Sequence, residues 1–226
     1  MASTNFPKSY FENRLGNDPL RHKSFIAERE YLKTKTKLFD LHQPRILDIG
    51  CSTGEFYDLV FNDHNVDYYG IEPSTYASNI AKSKGITMVS SAEELTDLDC
   101  VIYRGTIQYI DSPFRSIAES AAALKPGGNI VFLATPNARS VYYFLFKTLP
   151  FLEPNFMYFI PSDQNLMLVL ENAGMSINHI EYPYLNTPYA EPMRDLVRFI
   201  YKILTGKGRF AWPGSMMWIV ATKAGN

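Results

Sequence analysis

The chain is 226 residues long with 46% apolar and 20% charged residues, and 22 Lys and Arg against 23 Asp and Glu leave a net charge of −1. That length suits one domain with a single substantial core, and the composition excludes a disordered chain. The charge balance leaves no surplus to neutralise a run of phosphates, so a nucleic-acid partner is not expected.

Two cysteines, Cys51 and Cys100, make neither a disulfide framework nor a metal cluster. The opening segment MASTNFPKSYFENR lacks the apolar core of a signal peptide, and no run of about 18 apolar residues is long enough to span a bilayer. A cytoplasmic protein with no spanning segment is expected.

In chain order, residues 1–44 read as an N-terminal helical cap. Within it an amphipathic helix is expected from Ser24 to Phe39, with Phe25, Ile26, Tyr31, Leu32, Leu38 and Phe39 as its apolar positions. The basic residues Arg21, His22, Lys23, Arg29, Lys33, Lys35 and Lys37 read as a solvated face of this segment rather than a binding patch. From Arg45 the pattern alternates: RILDIG strand, GEFYDLVFN helix, VDYYGIE strand, STYASNIAKSKG helix ending at Gly85, ITMVS strand and DCVIYRG strand. A helix SPFRSIAESAAALKPGG, stopped by Pro126 and its glycines, then leads to the strand NIVFLATPN. Strands separated by helices of this length make a parallel sheet with crossovers.

Residues 45–226 therefore read as one α/β domain carrying two insertions, at about 138–161 and 186–212. The first holds eight aromatic residues, Tyr142, Tyr143, Phe144, Phe146, Phe151, Phe156, Tyr158 and Phe159, broken by Pro150 and Pro154. It lines an acceptor pocket, packs a small core of its own, or meets a membrane or a partner. Between the insertions, Ser162 caps a helix that stops at Gly174, and a strand follows from Ser176 to Tyr182. The second insertion puts Leu196, Val197, Ile200, Ile203 and Leu204 at helical spacing, to pack on the sheet edge or the aromatic segment, or to form a dimer contact. A last strand runs from Met216 to Thr222.

The chemistry concentrates in RILDIGCSTGEF. In an open α/β sheet, ligands bind beyond the carboxyl ends of the strands where the strand order reverses. Gly50, Ser52 and Gly54 let the backbone turn tightly there and approach a ligand closely. Glu72 ends the next strand 24 positions after Asp48, close to the spacing at which an acid reaches a pair of ribose hydroxyls. The G-x-S-x-G spacing, with Glu55 where a third glycine would stand, is not the dinucleotide fingerprint, and no G-x-x-x-x-G-K-[ST] occurs. A carboxylate at Asp48 suits a cationic ligand group better than a phosphate.

With ILDIGCSTGEF, YYGIEPS and LKPGGNIVF in this order, the chain resembles the class I S-adenosylmethionine-dependent methyltransferases, in particular their small-molecule branch, which includes ubiquinone and sugar methyltransferases. The resemblance covers about residues 45–174. It implies a Rossmann-like, seven-stranded, mostly parallel sheet with an antiparallel last strand and helices on both faces. It also implies that Asp48, Gly50, Cys51, Ser52 and Gly54 hold the methionine end of the cofactor and that Glu72 and the adjacent Pro73 meet the ribose. The end of the fourth strand, Tyr103 to Thr106 and chiefly Arg104 and Gly105, then lies against the sulfonium.

Three departures stand out. Ser52 occupies a usual glycine position. SSAEEL offers Ser91 and the backbone of Ala92 to the adenine where relatives often place an acid. RGTIQYID carries Gln108 and Tyr109 where quinone-directed relatives often have a histidine. His22, in the cap, is the candidate base, while His42, His64 and His179 read as structural or surface residues. The expected activity is methyl transfer to a hydroxyl of a small molecule such as a sugar, a lipid-linked saccharide or a ring compound, by a monomer or homodimer. The competing reading is a non-catalytic S-adenosylmethionine-binding regulatory or scaffolding protein.

Overall fold

The computed structural model describes residues 6–14, 18–150, 152 and 156–225. Phe151 and Pro154 of the aromatic segment lie outside the described residues. Seven strands form one sheet: β1 (Arg45–Ile49), β2 (Asp67–Ile71), β3 (Thr87–Met88), β4 (Leu98–Arg104), β5 (Leu124–Pro136), β6 (Met175–Glu181) and β7 (Met216–Lys223). Their order is β3-β2-β1-β4-β5-β7-β6. β7 alone is antiparallel to its neighbours β5 and β6, while every other pairing is parallel. The expected Rossmann-like sheet with an antiparallel last strand is therefore what the chain adopts. The order reverses between β1 and β4, which opens a crevice beyond their carboxyl ends.

β4 reads LDCVIYR and is buried along almost its whole length, as a central strand covered on both faces should be. One core layer gathers Leu47, Ile49, Val101, Tyr103, Ile117, Phe132 and Ile219, and the opposite layer gathers Ile46, Phe56, Cys100, Ile102, Val131 and Val220. Successive strand residues therefore feed opposite faces. Inside the first layer, the Tyr103 hydroxyl hydrogen bonds to Ser116 Oγ (2.9 Å) and Ser120 Oγ (2.8 Å) of α5 (Pro113–Ala123), which satisfies an otherwise costly buried phenol.

The remaining helices are α1 (Lys8–Arg14), α2 (Pro19–Lys35), α3 (Glu55–Val60), α4 (Thr75–Ser83), α6 (Val141–Phe146), α7 (Asp163–Asn172) and α8 (Pro192–Thr205). α2 starts five residues before the periodicity predicts. Asp18 caps its first turn, accepting from the Leu20 and Arg21 N–H groups, and Pro19 is preorganised for the first helical position. It ends at Lys35 because Thr36 turns extended, its hydroxyl bonding back to Leu32 O (2.7 Å). α5 ends at Ala123, before Pro126, because LKPGG is already drawn into β5, where Leu124 pairs with Leu98. Ser162 caps α7 as expected, accepting from Asn165 N, and Gly174 follows with φ +76°.

The basic residues of α2 are largely paired off: Arg21 with Glu55, Arg29 with Asp63, Lys33 with Glu30 and Lys35 with Glu181. The decisive contact of α2 is on its buried face. Glu28, wholly buried, accepts from Arg104 Nε (2.6 Å) and Nη2 (3.1 Å) at the end of β4, and from Ser24 Oγ (3.2 Å). The Arg104 guanidinium also lies 4.2 Å from the Phe25 ring. Removing one partner of such a pair leaves an uncompensated charge out of water. Glu28→Ala is expected to cost about 3 kcal/mol in urea unfolding, below the extreme for buried pairs because Arg104 keeps some contact with water; a loss under about 1 kcal/mol would mean that α2 is not anchored through this pair.

Candidate active site

The turn after β1 is built by hydrogen bonds to a single carbonyl. Ile71 O, at the end of β2, accepts from Gly50 N (2.7 Å) and Cys51 N (3.2 Å), folding the chain back over the strand ends. Gly50 has φ +79°, and a Cβ there would stand 2.4 Å from Thr106 Cγ2, so only glycine fits between the two loops. Ser52 takes the left-handed conformation with φ +54°, which a side chain disfavours, and its N–H donates to Glu72 Oε2 (3.1 Å). The departure from glycine at this position is thus held in the glycine conformation by the acid one strand away.

Glu72 also accepts from Ser74 N through Oε1 (2.9 Å). Burial pushes its carboxyl above the ordinary range, and the two N–H donors pull it back. Asp48 is more extreme. It is buried in β1, accepts from the Tyr68 hydroxyl through Oδ2 (3.0 Å), and leaves Oδ1 buried without a hydrogen-bond partner. Burial raises its pKa from 3.8 to about 7; the Tyr68 hydroxyl and Arg104 lower it, and Glu72 adds repulsion. The Cys51 thiol is also raised by burial, and by the same two acids, so it stays protonated.

These groups wall a cleft of about 970 Å³ that opens to solvent. Of the residues expected at the site, Asp48, Gly50, Cys51, Ser52, Glu72, Pro73, Arg104 and Gly105 line it. Gly54 does not, because it stands behind the turn against Ile86 and precedes α3. Nor do Ser91 and Ala92: the Ser91 side chain caps a single 3-10 turn, accepting from Glu93 N, and Ala92 packs into the core. His22 lies on α2 and lines neither this cleft nor its neighbour. Tyr103 points into the core instead of the cleft, and the Arg104 carbonyl is taken by the Thr106 hydroxyl (3.0 Å).

Most of the aromatic lining that motif reading missed comes from the cap. Phe6, Tyr10 and Phe11 line the cleft, with Phe6 stacked on Tyr10 (4.2 Å between centroids) and edge-on to Tyr109 (5.3 Å). Arg21 and Phe25 of α2 line it as well, as does Thr106 of the expected stretch at the end of β4. The clustering of Phe6, Tyr10 and Phe11 within six residues was a legible signal, with Tyr10 and Phe11 on α1 and Phe6 in the chain just before it.

A second cleft of about 1020 Å³ meets the first at Tyr10, Arg21, Arg104, Gly105 and Tyr109. Its far wall comes from the insertions, with Pro150, Leu152, Thr187 and Trp212, and from Tyr184 just before the second. Those segments also share a separate apolar cluster of Tyr142, Leu149, Leu152 and Phe210, with Phe199 and Trp212 packed against it. The aromatic segment therefore packs a small core of its own and also walls a pocket. Gln108, buried in this second cleft, donates through Nε2 to Gly105 O (3.0 Å) and leaves Oε1 without a partner.

The state of Asp48 has a direct consequence for folding. A carboxyl whose folded pKa is raised binds more protons folded than unfolded between about pH 4 and pH 7, so stability falls as pH rises through that window. Urea unfolding of the ligand-free protein is expected to lose up to about 4 kcal/mol over this range on account of Asp48, and Asp48→Asn to remove most of that slope. An unchanged slope in Asp48→Asn would show that another group carries it.

Residues 21–180 match the model of a family described as a methyltransferase domain. The chain is 33% identical over 105 residues to a malonyl-[acyl-carrier protein] O-methyltransferase of Haemophilus ducreyi, a match covering 39% of each protein. It is 26% identical over 160 residues to a tRNA U34 carboxymethyltransferase of Desulfotalea psychrophila, covering 66% of this chain and 50% of that one. The chain thus spans half or less of the length of these curated relatives. Among solved structures, a Thermotoga maritima protein described as an S-adenosylmethionine-dependent methyltransferase, possibly acting on histamine nitrogen, superposes with a TM-score of 0.61 at 21% identity, over 95% of this chain and 97% of that one. That likeness speaks for the fold alone. With the family model covering most of the chain and the sheet order in agreement, the protein belongs to the methyltransferase-domain family, the class I S-adenosylmethionine-dependent methyltransferases.

Proposed function

We propose that the chain transfers a methyl group from S-adenosylmethionine, held in the first cleft, to a hydroxyl of a small molecule held in the second: a sugar, a lipid-linked saccharide or a ring compound. The observation that carries this reading is the meeting of the two clefts at Arg104, Gly105 and Tyr109. One cleft has an acidic, glycine-turned floor, and the other is walled by rings and prolines beside an unpartnered buried amide oxygen.

The residues of the first cleft fit the cofactor. Asp48 Oδ1 is a buried acceptor without a donor, and a cation beside it would favour the ionised carboxylate that burial disfavours. Glu72 stands at the end of the adjacent strand, suited to ribose hydroxyls. Bound there, S-adenosylmethionine supplies an electrophilic methyl group on a sulfonium. The chain's own part is then to orient and to exclude water. The rings of Phe6, Tyr10 and Phe11 cover the first cleft, and Gln108 Oε1 offers an acceptor to a donor on the substrate.

No histidine lines either cleft among the described residues, so the reading gives positioning the larger share of the rate enhancement. The O-methyltransferase named among the relatives supports an oxygen acceptor. The balanced net charge of −1 favours a small molecule over a nucleic acid. Two buried free thiols agree with a cytoplasmic setting.

Isothermal calorimetry with S-adenosylmethionine and its demethylated product should show binding, and Asp48→Ala and Glu72→Ala should each weaken it tenfold or more, since a hydrogen bond to a charged group is worth about 1.5 to 3 kcal/mol. Unchanged affinity in either folded variant would move the site elsewhere. Mass spectrometry of sugars, phenols and lipid extracts incubated with labelled cofactor identifies the acceptor; binding without transfer to any fraction would favour the non-catalytic reading. With that acceptor in hand, Gln108→Leu should raise KM about tenfold with little change in cofactor affinity, as loss of one hydrogen bond predicts.

A further inference from the structure

α8 is amphipathic with its faces reversed. A surface helix normally turns its apolar stripe to the core. Here the inward stripe is Asp195, Phe199 and Lys202, at i, i+4 and i+7. Asp195, wholly buried, accepts from the Tyr184 hydroxyl (2.9 Å), Glu191 N (2.8 Å) and Arg198 Nη1 (2.9 Å). Lys202 Nζ donates to Gly208 O (2.7 Å) beneath the rings of Tyr142 and Phe146, and Phe199 stacks on Trp212 (4.1 Å between centroids). Two of the helix's charged side chains, Asp195 and Lys202, are thus turned inward. Met193 (79% exposed), Leu196, Val197, Ile200, Tyr201, Ile203 and Leu204 (77%) face out. The adjoining α6, joined to α8 through Phe146 and Phe199, adds exposed Val141, Phe144 and Leu145. Contiguous exposed apolar surface of this kind marks a binding face.

Charge says what the face meets. Residues 138–150 and 183–215 hold seven of the 22 Lys and Arg residues (Arg139, Lys147, Arg194, Arg198, Lys202, Lys207, Arg209) and two of the 23 Asp and Glu residues (Glu191, Asp195). The rest of the chain is left with 15 basic against 21 acidic residues. Of the two acids, Asp195 is buried and Glu191 is paired with both Arg194 and Arg198; of the seven cations, Lys202 is buried and Arg139 is paired with Asp163, which leaves Lys147, Arg194, Arg198, Lys207 and Arg209 against Glu191 at the surface. An apolar helix face bordered by cations, on an otherwise acidic protein, has the chemistry of a segment that lies in the plane of an anionic bilayer. A second copy using the same face would set cations against cations. A nucleic acid would meet mainly aliphatic side chains. No helix of the described residues is long and apolar enough to cross a membrane.

We propose that the outward face of α8, together with α6, docks on the surface of an anionic lipid bilayer. The helix lies in the interface, with Met193, Leu196, Val197, Ile200, Ile203 and Leu204 reaching toward the acyl chains and Arg194, Arg198 and Lys207 toward the headgroups. The second cleft is walled by these same insertions, through Pro150, Leu152, Thr187 and Trp212, so docking would bring it to where an amphiphilic acceptor is held. The docking itself does not depend on the proposed methyl transfer.

Sedimentation of the full chain with phosphatidylcholine vesicles, with and without phosphatidylglycerol, tests it. Binding is expected only to the anionic vesicles, weakening as salt is raised. It should fall at least tenfold in the Ile200→Glu/Leu204→Glu double variant, with thermal unfolding and affinity for the demethylated cofactor unchanged. Absence of binding to the anionic vesicles, or equal binding by the double variant, overturns the proposal. So does a dimer by light scattering that the double variant dissociates while vesicle binding is absent. Salt-sensitive retention on RNA without vesicle binding also overturns it, and would assign the cations to a nucleic acid.

Discussion

The ion pair between Glu28 and Arg104 is the joint at which cap, sheet and both clefts meet. Arg104 ends the central strand β4 and lines each cleft, and Glu28 belongs to a helix that precedes every strand of the sheet, 76 positions before Arg104. Burying two charges carries a large desolvation cost, offset only when geometry and further hydrogen bonds are good. Here the carboxylate receives two guanidinium donors and the Ser24 hydroxyl, and the guanidinium rests on the Phe25 ring. Such a pair does little for net stability compared with well-packed apolar residues. Its value is in fixing one arrangement, which sets α2 across the strand ends and turns an open crevice into a walled one.

Within that frame the two acids of the first cleft are placed where folding alone would not want them. Asp48 lies in a central strand with one oxygen unpartnered, and Glu72 adds repulsion while spending its own oxygens on the Ser52 and Ser74 N–H groups. Ligand-free, the protein carries this electrostatic burden in its most buried layer. A cation placed beside Asp48 would relieve that burden by favouring the ionised carboxylate, the form of trade between stability and function common at ligand sites.

The insertions solve a different problem. Each is too short to bury its own rings, but together they enclose Tyr142, Leu149, Leu152 and Phe210 and hold α8 by its polar residues. The arrangement supplies a wall for the second cleft and leaves the apolar side of α8 outward.

Much of this was legible in the sequence, because it rests on local constraints. Alternating strands and helices declare the parallel sheet. The turn at Gly50 admits only a residue without a side chain, and an acid at the end of the next strand is a short-range pattern in any such sheet. Ser162 announces its helix by the same local logic. Ser91 and Ala92 read as adenine contacts from the sequence; the fold uses the serine as a helix cap and packs the alanine in the core, and a capping serine and a ligand-facing serine share one local sequence pattern. The cap's rings were spaced legibly, but nothing local says that they fold over a crevice many residues away. α8 is the sharpest case: its periodicity establishes an apolar stripe and a polar one, and helical spacing determines that by itself. Which stripe turns inward was decided only in the tertiary structure, where Tyr184, Gly208 and the rings of Tyr142 and Phe146 meet Asp195 and Lys202, because a sequence period has no direction until a partner surface supplies one.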